Sequence, residues 1–268
     1  VVLVIVVVGP FVAPDDPNAV GVTGTFAASG PGHLLGGDVL GRNVLSRVLA
    51  GGWLLILLAA IATVVGIFFG TIAGMTAAYL PGWRDGVIMR GVDVLLAFPQ
   101  LVFALLLVSV LGNHLYLIVL AVGLSHAPQV ARVIRSTALE VAERDYVKAV
   151  AVMGVKPGKV MVREILPNLI SPLMVETGLR LTYSIIIMAG LAFLGFGFQP
   201  PDATWGYMIR ENQIGVTSNP WGVVAPAILL ALLTIGVNTF TDAVARVALG
   251  VDRAETVAVT EAAGSSEG

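Results

Sequence analysis

The sequence predicts an all-α polytopic membrane protein with six transmembrane helices, and three observations carry that prediction. Of 268 residues, 57% are hydrophobic and only 12% are charged, against about 25% charged in a typical soluble domain. The mean hydropathy is +0.92, so the charges are too few to cover a soluble globule of this size. Five apolar stretches can each form the ~20-residue helix that crosses ~30 Å of hydrocarbon. They run from Trp53 to Leu80, Gly86 to Leu111, Leu115 to about Ile134, Leu169 to Phe198, and Trp221 to about Leu249. A sixth, Val1 to Ala13, is apolar but short, and is expected to be the outer end of a first helix truncated in this numbering. It has neither the positively charged start nor the small-residue cleavage site of a signal peptide.

Composition also excludes functions. A net charge of −2 leaves no basic footprint, so no nucleic-acid partner is expected. With no cysteine there is no disulfide, thiolate metal cluster or cysteine nucleophile. His33, His114 and His126 form no HExxH or paired spacing, so no metal site is expected.

The connections between spans differ in character. Pro14 to Pro31, rich in Gly, Pro, Ala and Asp, reads as a coil. A short amphipathic helix around Leu40 to Leu49 follows, so residues 14–50 form one external element. A second external loop, 199–220, carries Trp205 and leads into Trp221, which suits the aromatic belt of a membrane interface. Residues 254–268 hold Ala, Glu, Gly and Ser without an apolar period, and disorder is expected there. The remaining 1–253 read as a single transmembrane domain.

Basic residues set the orientation. If the chain starts in the cytoplasm, the connection between the fourth and fifth spans is cytoplasmic too. It holds Arg132, Arg135, Arg144, Lys148, Lys156, Lys159 and Arg163, and Arg84, Arg90, Arg246 and Arg253 fall on the same side. Eleven of 15 basic residues thus share one side, which predicts both termini in the cytoplasm.

Within the spans, ionisable groups are candidates for function by default. Glu176 and Arg180 lie at i, i+4 and either neutralise each other inside the bundle or line a pathway. Met188 lies further along the same helix. His126 and Pro128 mark a kink in the fourth span. Gly66, Gly70 and Gly74 make a small-residue face for close packing, within this chain or against another.

The polar connection, 139–168, is the most informative segment. Helix connections usually take 2 to 8 residues, so some 30 polar ones imply another task. Tyr146, Val147, Val150 and Met153 recur at helical spacing, Gly154 supplies a C-cap, and Pro157 with Gly158 delays a second helix to about Lys159. The prediction is helix, glycine turn, helix, with an apolar stripe and charged rim suited to a soluble partner.

These residues resemble the cytoplasmic loop of ABC-importer permeases. There an EAA motif is followed after three residues by Gly and, thirteen later, by Pro; here the sequence reads Lys148-Ala149-Val150, Gly154 and Ile165-Leu166-Pro167. Three more segments resemble the dipeptide, oligopeptide and nickel branch. His33 to Arg47 matches its external "HxLGTDxxGRDxxSR" element, with Gly37 for Thr and Asn43 for Asp. Met89 to Pro99 matches its third-helix signature, and Phe193 to Pro201 with Trp205 and Gly206 matches its fifth-helix ending and loop. The external features are those of the C-type subunit.

The resemblance implies an ABC importer type I permease fold, and a permease forming half the translocation pathway of a di- or oligopeptide importer in the bacterial inner membrane. It implies an ATPase-docking turn built from Tyr146, Lys148, Ala149, Val150, Met153, Gly154, Val155, Lys156 and Pro157. Substrate-pathway candidates are Glu176, Arg180 and Met188, and the binding-protein-facing loops present Asp38, Arg42, Gln199 and Trp205. The implied partners are a homologous second permease, two ATPases or one fused ATPase, an external binding protein and membrane lipid. ATP and Mg would be held by the ATPases, since this chain has no GxxxxGK[ST] loop and is not expected to be an enzyme or to hold a cofactor. The same machine carrying nickel chelates, or a secondary transporter driven by an ion gradient, are the alternatives. The second leaves the long polar connection unexplained.

Overall fold

The computed structural model describes residues 2–80, 82–197 and 201–249, and among these it contains helices and turns but no strand. In chain order the helices are α1 (Val2–Val12), α2 (Val44–Ala50), α3 (Trp53–Tyr79), α4 (Trp83–Leu96), α5 (Gln100–Leu111) and α6 (Leu115–Ala142). Then come α7 (Asp145–Val152), α8 (Pro157–Val160), α9 (Ile170–Leu194), α10 (Trp205–Asn212) and α11 (Trp221–Leu249). Four segments, containing α3, α6, α9 and α11, are long and apolar enough to cross a bilayer. The expected tail at 254–268 lies outside the described residues.

The third predicted span is corrected. It is not one helix from Gly86 to Leu111 but α4 and α5, bent by 96°. Pro99 causes the break: it has no N–H to donate, and its ring disfavours a helical conformation at Phe98. Beyond the bend, the Gln100 side chain reaches His126 of α6, while Leu111 ends α5 just before α6 begins at Leu115. Matching lengths of α5 and α6 therefore run side by side and antiparallel.

The closest pair is α3 with α6, and the glycine face explains it. A Cβ on Gly66 would sit 2.8 Å from the Gly123 carbonyl oxygen, one on Gly70 2.5 Å from Val130 Cβ, and one on Gly74 2.6 Å from the Ala131 carbonyl oxygen. Gly123 reciprocates, its would-be Cβ lying 2.7 Å from Val65 Cγ1. The small face is thus filled by this chain's own α6. Gly70→Val is expected to push the pair apart and lower stability by at least ~1–3 kcal/mol. Gly86→Ala, in open space on α4, is expected to be neutral or slightly stabilising. Unfolding midpoints of the purified chain in detergent check both.

Two apolar clusters hold the bundle. One, including Leu55, Ala59, Val122, Ile185, Leu191 and Trp205, lies toward the end that carries α2 and α10. The other, including Met75, Val130, Ile134, Val147, Val160, Ile165 and Leu169, fixes the α7–α8 segment onto the opposite end.

Candidate functional site

The polar connection folds as helix, turn, helix. After α7, Gly154 takes φ +79°, a conformation that favours glycine, and α8 starts at Pro157. The chain then returns through a π turn, Met161–Ile165, and a 3-10 turn, Leu166–Leu169, that accommodates Pro167. The predicted apolar stripe divides in two. Val147 is buried in the second cluster and Val150 and Val155 pack beside it. Lys148, Ala149, Gly154, Lys156 and Pro157 are exposed, and Tyr146 is partly so. The apolar tip is Met153, 75% exposed, with Val152, 88% exposed. Spacing alone passed over Val152, which falls off the i, i+3, i+4 stripe; its signal was its place as the last residue of a helix closed by glycine.

At the other end, residues 13–43 fold as a coil over α2, α10 and the start of α11. Asn43 caps α2, its side-chain oxygen accepting the Leu45 N–H at 3.0 Å, a task an Asp would also perform. The helix therefore begins at Val44, not Leu40, because Gly41 at φ +69° and the extended Asn43 precede it. The Asn219 side chain donates to the carbonyls of Leu35 and Gly37 at 2.9 Å, and the Asn212 side-chain oxygen accepts the Val39 N–H.

Asp38, Arg42 and Trp205 are corrected as partner-facing residues, because all three are buried inside this cap. Arg42 pairs with Asp38 at 2.5 Å and with Glu211 at 2.6 Å, while Arg47 approaches Asp38 at 3.4 Å and Glu211 at 3.3 Å. Two cations and two carboxylates thus form a closed clasp between the coil, α2 and α10. Burial opposes the charge on Arg42, but its close pairing with Glu211 and the charges of Asp38 and Glu211 outweigh it and raise its pKa. Trp205 is also an internal tie, its Nε1–H donating to the Val48 carbonyl at 2.8 Å. Gln199 lies outside the described residues. The exposed apolar residues of the cap instead include Leu34, Leu40, Ile214 and Val216.

Inside the spans, Glu176 and Arg180 meet at 3.0 Å, both mostly buried, with the Arg180 guanidinium 5.4 Å from the Tyr183 ring centroid. Met188, 1% exposed, sits within the first cluster.

A buried chain of hydrogen bonds centred on His126 was not anticipated. Gln100 Nε2 donates to His126 Nδ1 at 2.5 Å, and His126 Nε2 lies 2.8 Å from Ser184 Oγ. Ser184 Oγ lies 3.0 Å from Thr63 Oγ1, which donates to the Ala59 carbonyl at 2.8 Å. One donor order satisfies every bond: Gln100 to a neutral His126, His126 to Ser184, Ser184 to Thr63, Thr63 to the backbone. The chain joins α5, α6, α9 and α3. His126→Leu would break the link between Gln100 and Ser184, leaving Gln100 only its 3.4 Å contacts to Ser125, and is expected to cost about 0.5–2 kcal/mol, the range of interhelical hydrogen bonds in membranes. Asn in its place should recover part, and detergent unfolding midpoints measure both.

Long apolar helices, a folded cap at one end and an exposed two-helix turn at the other define a polytopic membrane protein. Residues 66–248 match the family of binding-protein-dependent transport system inner membrane components, and the chain belongs to that family. It is 34% identical over 210 residues to the glutathione transport system permease protein GsiD of Pectobacterium atrosepticum, covering 78% of this chain and 70% of that one. It is 32% identical over 210 residues to the dipeptide transport system permease protein DppC of Alkalihalophilus pseudofirmus, covering 78% and 69%. Among solved structures, one of the MetNI methionine ABC transporter in inward-facing conformations superposes with a TM-score of 0.54 at 18% identity, covering 72% of this chain and 94% of that one. The fold is therefore that of an ABC importer permease.

Proposed function

We propose that this permease forms half of the pathway of an ATP-driven importer for di- or oligopeptides. The observation that carries the reading is the α7–α8 turn, which presents Val152 and Met153 away from the bundle inside a rim of Lys148, Lys156 and Lys159. An apolar tip with a charged rim fits a groove on a soluble ATPase. The turn is anchored at Val147, Val160 and Ile165 in the same cluster as α3 and α6 residues, so a push on the tip reaches the spans as rigid-body motion. The peptide assignment draws on the relatives' names, which specify glutathione and dipeptide transport.

In this reading two ATPases, or one fused ATPase, bind ATP and Mg, and a homologous permease forms the other wall. Both termini and the turn face the cytoplasm. The Glu176–Arg180 pair borders the pathway, and Met188 supports that helix from inside. An external binding protein docks on the cap through Leu34, Leu40, Ile214 and Val216, with the Asp38, Arg42 and Trp205 ties holding that surface in shape. Uptake of a labelled dipeptide by vesicles containing the assembled complex tests the reading. Dependence on ATP and on the binding protein is expected; uptake driven by a proton or sodium gradient alone would overturn it.

A further inference from the structure

We propose that the outward face of α4 binds anionic phospholipid headgroups in the leaflet nearest the α7–α8 turn. The inference goes beyond the transport reading and shares with it only a membrane-embedded chain.

Geometry places α4 at a membrane surface. It is bent by 96° from α5, which runs beside α6. Asp85 pairs with Arg135 and Asp93 with Arg132. Eight residues of α4, about 12 Å, thus pass the level of less than one turn of α6, so α4 lies across the bundle. Arg132 and Arg135 stand roughly 26–30 Å along α6 from Leu115 at 1.5 Å per residue. That is the full hydrocarbon thickness of ~30 Å, so α4 sits at the boundary between acyl chains and headgroups.

Chemistry then selects the occupant. Asp85, Met89, Val92 and Leu96 face inward, whereas Trp83, Val87, Arg90 and Val94, at i, i+4, i+7 and i+11, share the exposed face. Trp83 is 74% exposed, and the Arg84 guanidinium lies 5.8 Å from its ring centroid. Both carboxylates of α4 are taken by Arg135 and Arg132. Arg84 and Arg90 therefore have no carboxylate partner among the described residues. An in-plane helix with an apolar stripe, an interfacial tryptophan and two free guanidiniums matches the phosphates and glycerol backbone of an acidic lipid. A protein partner would have to supply carboxylates to both arginines and cover a stripe that already lies at acyl-chain depth.

The test uses the assembled transporter in nanodiscs of phosphatidylcholine, alone or in equal parts with phosphatidylglycerol. Lipid brominated near the top of its acyl chain reports proximity to Trp83, isolated as the difference between the native complex and Trp83→Phe. Brominated phosphatidylglycerol is expected to quench Trp83 more strongly than brominated phosphatidylcholine. The Arg84→Gln/Arg90→Gln pair should lower that preference about thirtyfold, at about fivefold per basic residue near an anionic surface, while Arg84→Lys/Arg90→Lys retains most of it. Equal quenching by the two lipids in the native complex would overturn the proposal, as would a photo-crosslinker at position 83 that captures a polypeptide instead of lipid. Neither readout depends on what is transported.

Discussion

Asp38→Asn is expected to lower the stability of this permease by about 3–5 kcal/mol, the range for removing one partner from a buried ion pair. The side chains of Asp38 and Arg47 are 0% exposed, Arg42 2% and Glu211 11%. Two positive and two negative charges cancel, and the substitution leaves a net cation where water cannot reach it. Hydrogen bonding makes this variant worse than simple neutralisation. Asp38 Oδ1 accepts the N–H groups of Leu40 and Arg42 at 2.8 and 2.9 Å, which an Asn oxygen can still do. The amide nitrogen would then replace Oδ2 and point its donors at Arg42 Nε, 2.5 Å away. Glu211→Gln should cost less, since Gln keeps one acceptor oxygen for either Arg42 or Arg47. Arg47→Met added to Asp38→Asn should recover part of the loss by restoring neutrality. Trp205, bonded to Val48 beside the clasp, reports the transition by fluorescence during unfolding in detergent. A change under about 0.5 kcal/mol, typical of an exposed site, would show that the four groups do not act as a closed unit.

That clasp also marks where the sequence stopped being legible. Asp and Arg in a polar loop default to solvent, and the observation that reverses this is Glu211, 173 residues beyond Asp38. No spacing rule connects them. The His126 chain is hidden the same way, because Gln100, Ser184 and Thr63 come from three other helices. Local features were readable: α3, α6, α9 and α11 follow from apolar length, and the turn at Gly154 follows from a glycine and a proline within four residues. The bend at Pro99 lies between the two cases. Its cause is local, but apolar residues continue on both sides of it, and the length rule outweighed the proline. The glycine face of α3 was visible, whereas its partner emerged only when Gly123 of α6 was found to meet it with the same close approach.

The second large effect concerns the opposite end and should leave stability untouched. Val152→Asp with Met153→Asp is expected to abolish ATP-dependent uptake while the chain inserts, folds and unfolds as before. In the isolated chain these side chains are 88% and 75% exposed, so charged replacements disturb nothing and should stay within about 0.5 kcal/mol. Docking reverses their environment. Full burial of a Val or Met side chain contributes about 1.5–3 kcal/mol, so losing both removes roughly 3–6 kcal/mol of association energy before any cost of desolvating two carboxylates. Each 1.4 kcal/mol is tenfold in affinity, which puts the loss above a hundredfold, readable as failure of the ATPase to co-purify. Two companions separate docking from folding. Val147→Asp places a charge in the second cluster and should destabilise the chain itself. Gly154→Val meets no neighbour within 4 Å, yet must hold φ +79° with a β-branched side chain, so its cost is conformational and falls on the shape of the turn. If the tip variant retained both ATPase and uptake while Val147→Asp lost them, the turn would be an anchor for the bundle and not a docking surface. Loss in the tip variant at unchanged stability would instead assign the entry of ATP-driven motion to two side chains that stand mostly exposed at the tip of the turn.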